Sequence, residues 1–292
     1  MSVTATSPSN PTAPSGSSPP SSADSRGVSS PTRTTGAVPT AAAVAGRSLR
    51  KFMRTPQLVV VSTIQGAMFL LIFRYVFGGA INSGPIPYVD FLVPGFVVTG
   101  VLFSGMGAAT GTAADLDEGF FDRLRSLPVH RSALAFGQAL ADSALVVWGL
   151  IVTIGIGFLV GFRIHSDVPS ALAAFGLCML FGFAFTWLFI CIGLMAGNAQ
   201  AAQGMSLLVF PFTFVSSAYV PIASMPSWLQ PIAEHQPITP MVDAVRCLTL
   251  GDPALAGLSG TTAHYVVLSL LWSVALIAVF APVAIWRYRR SS

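Results

Sequence analysis

The residues best placed to do chemistry are four acids in one short run: Asp115, Asp117, Glu118 and Asp122, within DLDEGFFDRLRSLPVHR at 115–131. Carboxylates gathered in this way can hold Mg²⁺ beside a substrate's phosphates, the chemistry of a membrane-embedded phosphotransferase. The spacing argues against it. On a helix Asp117 points well away from Asp122, and the D-x-x-D-G-x-x-A-R pattern of such enzymes is missing. A solvated helix face accounts for the acids better, and no metal site is expected. Leu116, Phe120, Phe121, Leu124 and Leu127 form an apolar stripe, with Asp115, Glu118, Asp122 and Arg125 opposite. Acids come early and Arg123 and Arg125 late, the order that the helix dipole favours. Pro128 disfavours the α conformation at Leu127 and ends the helix.

Other chemistries find little support. Lys51 is the only lysine, and G-x-x-x-x-G-K-[ST] does not occur, so no phosphate-cradling loop of that type exists in this chain. His130, His165, His235 and His264 lack second ligands at metal spacing. G-x-S-x-G is absent. Cys178 and Cys191 lie on one predicted helix, roughly 20 Å apart at 1.5 Å per residue, too far to bridge. Ionisable groups deep in apolar runs are scarce. Asp142 and Arg74 lie near predicted span ends, and Gln65 is polar but uncharged, suited to an interhelical hydrogen bond. A carrier driven by ions would place acids at mid-membrane.

The elements around 115–131 are membrane spans. Of 292 residues, 53% are hydrophobic and 9% charged, against about 25% charged in soluble chains. Apolar runs above about 18 residues recur, which predicts a polytopic all-α membrane protein. Six transmembrane helices are expected near 58–77, 91–113, 135–160, 171–195, 205–220 and 264–286. Twelve of the fifteen Lys and Arg fall in the N-terminal segment, the 114–132 loop or the C-terminal Arg287, Arg289 and Arg290, leaving Arg163 and Arg246 in the opposite loops and Arg74 near an outer helix end. Both termini should therefore face the cytoplasm of a multi-pass protein in the cell membrane. The net charge of +4 is a topology signal and points to no nucleic acid.

Residues 1–37, rich in Ser, Pro and Thr, should form a disordered tail and do not read as a secretory signal. Residues 38–292 would then be the transmembrane domain. Its start is a basic amphipathic helix, with Arg47, Arg50, Lys51 and Arg54 on one face, expected to lie flat on the anionic membrane surface. Gly107 and Gly111, Gly157 and Gly161, and Gly193 and Gly197 pair at four-residue spacing, which lets helices approach closely. A translocation path along Gln65, Gly107 and Gly111 is the alternative reading. The proline-broken stretch 220–260 is too polar to span and should form short helices that dip into or lie on the outer leaflet.

Several separate stretches carry a family resemblance. EGFFDRLRSLPVHR at 118–131, SSAYVPIASMPSWLQPIA at 216–233, QPITPMVDAVRCLTLG at 236–251 and YVFGG at 75–79 resemble the type-2 ABC exporter permeases, in the daunorubicin-resistance-like branch. Gln236 departs from the Asn more usual there. The resemblance covers roughly residues 45–290. It implies six spans, an N-terminal interfacial helix, and a coupling helix formed by Glu118, Gly119, Phe120, Phe121, Asp122, Arg123, Leu124 and Arg125. It implies that ATP and Mg²⁺ are bound not by this chain but by a separate ATP-hydrolysing subunit, present in two copies beside two permease halves, here a homodimer. The function implied is non-catalytic: multidrug efflux, and with it antibiotic resistance, by export of lipophilic drugs, natural products or lipids. Export of a polysaccharide or lipid-linked glycan is the alternative within that superfamily, and the few Trp and Tyr inside the spans argue against it.

Overall fold

A computed structural model of the chain describes residues 64, 66–81, 86–117 and 131–290, of which 131–145, 256–257 and 288–290 are described by backbone alone. The N-terminal tail and the basic amphipathic helix lie outside the described residues. Every regular element among the described residues is helical.

The apolar segment α1 (Gly66–Phe77) ends in a π-wound turn over Phe73–Phe77. Next, α2 (Tyr88–Ser104) and α3 (Met106–Asp117) run on as one 30-residue apolar rod, tightened at Gly105, whose N–H reaches the Leu102 carbonyl at 3.1 Å. Then come α4 (Arg131–Val160) and α5 (Val168–Ala196). Short pieces follow: α6 (Ala199–Ser206), a 3₁₀ turn and α7 (Phe210–Phe214). Two further short helices, α8 (Gln230–His235) and α9 (Ile238–Leu250), precede the long α10 (Thr262–Arg290). Among the described residues, three rods are long and apolar enough to cross a membrane: Tyr88–Asp117, Val168–Ala196 and Thr262–Arg287. Each exceeds the roughly 20 residues that a bilayer core requires. The described parts of α1 and α4 are shorter apolar segments.

At the centre stands α5, against which α2, α3, α4, α9 and α10 pack. It is apolar all round, as a fully surrounded helix must be, and Phe181, Trp187, Phe189 and Ile190 are fully buried. Small residues bring the rods together. A Cβ on Gly193 would strike the Ala109 carbonyl of α3, and one on Gly157 would come within 2.7 Å of Val93. On α10, Ser269 and Ser273 face inward and return their hydroxyls to carbonyls one turn back, at 2.7 and 2.8 Å. The opposite face of α10 exposes Val267, Leu271, Val274 and Val279.

The glycine pairs divide their work. Gly157 and Gly193 serve close approach as expected, whereas Gly161 (φ 111°) and Gly197 (φ 77°) take left-handed backbone and end α4 and α5. Gly107 is exposed, with nothing in reach of an added Cβ.

The fifth apolar segment lies six residues earlier than the sequence pattern predicts. Asn198 starts α6 by accepting the Ala201 N–H on its side-chain oxygen at 2.8 Å. The helical stretch ends at Phe214, because Val215 leaves the helical region (φ −85°, ψ 46°). Residues 216–219, expected to finish a span, form a turn instead. The stretch after it does form short helices, α8 and α9, with a 3₁₀ turn on either side.

Candidate functional site

One end of the bundle is closed by a cap made from the 216–219 turn, α8 and α9. The His165 N–H, between α4 and α5, donates to the Thr249 carbonyl at the foot of α9 at 2.9 Å. At the start of α2 the Tyr88 hydroxyl donates to the Tyr219 carbonyl at 3.2 Å. The turn meets α2 because Gly95 has no side chain: a Cβ there would collide with the Ala218 carbonyl.

The cap is polar inside. Arg246 of α9 is 3% exposed and Asp243 2%. The guanidinium donates to the Asp243 carboxylate at 2.8 Å, the Ser217 carbonyl at 3.0 Å and the Phe91 carbonyl at 2.9 and 3.2 Å. It also lies over the Phe91 ring, 3.8 Å from the centroid. The Ser217 hydroxyl donates to Asp243 at 2.9 Å, and the Ser217 N–H to the Thr239 hydroxyl at 3.3 Å. Burial pushes the Asp243 carboxyl above the ordinary carboxylate range, and the Arg246 guanidinium and Ser217 hydroxyl pull it back. Gln236 ties the cap to α7 by donating to the Phe212 and Val215 carbonyls.

Beneath the cap runs a chain of aromatic rings drawn from four segments. Tyr219 is its hub. It stacks on Phe73 of α1 at 5.1 Å, meets Phe96 of α2 edge-on at 5.1 Å and touches Phe214 of α7 at 5.1 Å. From Phe214 the chain continues to Phe210 at 5.1 Å and Phe103 of α2 at 5.5 Å, and from Phe73 to Phe77 at 5.3 Å. Tyr219 and Phe96 are buried, while Phe77, Phe210 and Phe214 are exposed, so the chain surfaces along one face of the bundle. The Tyr219 hydroxyl bonds to Thr99 and Thr213. Both threonine hydroxyls also donate to backbone carbonyls, and the phenol's single proton can go to only one of them. An apolar, ring-lined face with a few hydroxyls suits flat aromatic molecules.

Of the residues singled out by sequence, Glu118, Gly119, Phe120, Phe121, Asp122, Arg123, Leu124 and Arg125 lie outside the described residues, as do Arg47, Arg50, Lys51, Arg54 and Gln65. Gly107 and Gly111 lie on α3, one exposed and one half-buried. Sequence reasoning missed the Tyr219 hub and treated Arg246 as a loop charge that reports topology. Arg246 sits instead on a helix, buried and paired. The available signal was D-A-V-R, acid and base three apart on an otherwise apolar helix.

A bundle of apolar helices, three of them among the described residues long enough to cross a membrane, closed at one end by a cap locked through polar contacts, defines a helical membrane protein. A family model, the ABC-2 type transporter, matches residues 41–249. The chain belongs to that family. It is 31% identical over 248 residues to a daunorubicin resistance ABC transporter permease of Streptomyces coeruleorubidus, covering 84% of each chain. It is 26% identical over 252 residues to a chain of Mycobacterium tuberculosis described as a probable doxorubicin resistance ABC transporter permease, covering 84% of this chain and 87% of that one. Nodulation protein J of Neorhizobium galegae is 24% identical over 205 residues, covering 67% of this chain and 76% of that one. The protein is thus an ABC-2 permease of the drug-resistance branch.

Proposed function

We propose that this chain is the membrane half of an ATP-driven exporter that moves lipophilic compounds, flat polycyclic drugs foremost, out across the cell membrane. The observation that carries the reading is the similarity to the daunorubicin resistance permease over 84% of both chains. The aromatic chain around Tyr219 supports the substrate class, since stacked and edge-on rings favour planar guests. Two copies of this chain work with two copies of an ATP-binding subunit. The segment 118–125 docks on that subunit, and closure of the ATPase pair tilts the spans between inward-facing and outward-facing states. Both termini lie in the cytoplasm, so the cap faces outward. The chain itself performs no catalysis.

The test is reconstitution into lipid vesicles with and without the ATP-binding subunit. Daunorubicin should move only when both proteins and ATP are present, and dissipating proton and sodium gradients should leave the rate unchanged. Transport by this chain alone, or transport that follows an ion gradient, overturns the proposal.

A further inference from the structure

We propose that Arg246 is a positioning residue for transport: with Asp243 it latches α9 and the 216–219 turn to the start of α2, so that cap and α2 move as one body. The inference rests on the exporter reading above and concerns how motion reaches the far end of the bundle.

The geometry is that of a three-way clamp. A single guanidinium holds its own helix through Asp243, the turn through the Ser217 carbonyl and α2 through the Phe91 carbonyl. No two of these segments are neighbours in sequence: Phe91 and Arg246 are 155 positions apart. Buried ion pairs add little stability over well-packed apolar residues, so stability alone does not account for this one. What a planar fork supplies is direction. It aligns several acceptors at fixed angles, which the point charge of lysine does not do. Asp243 is itself braced by the Ser217 hydroxyl, so the carboxylate cannot swing without releasing the turn. The Tyr88–Tyr219 hydrogen bond and the Gly95–Ala218 contact fasten the same turn to the same helix at two further points.

The consequence lies along the rod. From the clamp, α2 runs through Gly105 into α3, which ends at Asp117, one residue before the segment that receives the push. A tilt entering there reaches the cap without crossing a loose joint. Tyr219, held inside the clamped turn, keeps its place against Phe96 while its contact to α1 is free to change.

The experiment uses the full chain co-purified with its ATP-binding subunit and reconstituted into sealed lipid vesicles, with the buried Cys178, Cys191 and Cys247 replaced by Ala. Spin labels at Pro87 and Asp252, both exposed, report the distance between α2 and the cap. In the active wild-type complex this distance should be the same with ATP absent and with nucleotide trapped by vanadate. In Arg246→Ala its distribution should broaden, and daunorubicin efflux should fall about tenfold, within the range of an ordinary allosteric coupling. Arg246→Lys should insert normally but should not restore the narrow distribution. Ser217→Ala, which removes only the brace on Asp243, should broaden it part-way and serves if Arg246→Ala fails to fold. A wild-type distance that changes with nucleotide overturns the latch, as does a narrow distribution with normal efflux in the variants. Absence of ATP-dependent efflux in the labelled wild-type complex refutes the exporter reading instead, and the label distances still decide the latch.

Discussion

Tyr219 does two jobs that a mutation can separate. Its ring holds Phe73, Phe96 and Phe214 together, and its hydroxyl meets two threonine hydroxyls inside an apolar wall. An aromatic contact contributes about 0.5–1.5 kcal/mol beyond area burial. Tyr219→Ala should therefore raise the daunorubicin concentration for half-maximal efflux by roughly 2- to 10-fold. Tyr219→Phe keeps the ring and should stay near wild type, as a vesicle efflux titration would register. In the segment that follows α3 in sequence, Glu118→Ala and Arg123→Ala should lower transport and drug-stimulated ATP hydrolysis while membrane insertion stays intact. Normal ATPase stimulation in those variants would contradict a coupling role. The two stretches differed in how readily the sequence singled them out. Charge between apolar runs marked 115–131 at once, whereas Tyr219 is a lone tyrosine whose partners come from segments up to about 145 positions away in the chain, a proximity that no local pattern encodes.

At the scale of elements, the membrane rods were legible and the punctuation was not. Long apolar runs marked Tyr88–Asp117, Val168–Ala196 and Thr262–Arg287, because a helix surrounded by apolar matter must be apolar on every side. The fifth segment was misplaced because its start, Ala199–Gln203, is polar and its end, Ser216–Val220, is not. Hydropathy follows the second fact, while the Asn198 cap and the break at Val215 decide the structure. Asn198→Ala should cost about 1 kcal/mol, read as a small drop in the detergent melting temperature. Gly95→Val should be far worse, since the collision with Ala218 involves backbone that cannot rotate away. Expected is loss of folded protein on size-exclusion chromatography, with Gly107→Val, at an open position, as the benign comparison. Asp243→Ala strands a buried guanidinium and should destabilise by about 3–5 kcal/mol.

For the whole molecule, sidedness is the property from which the others follow. If the cap faces outward, a single cysteine at Arg163 in the cysteine-free chain should react with an impermeant maleimide in intact cells. One at Asp117 should react only after the membrane is opened. The reverse result would place the acid-rich segment outside and leave no route for ATP-derived force. One local irregularity also has reach across the molecule. A helix advances about 100° in azimuth with every residue, and the wide turn at Phe73–Phe77 accommodates one residue more than an α-turn would. That surplus residue sets the bearing of everything beyond it, much as a washer under a bolt fixes where the thread comes to rest. Shortening the segment by one would swing Arg74 and Phe77 a quarter-turn or more around the axis, although no atom of Tyr219 had been altered.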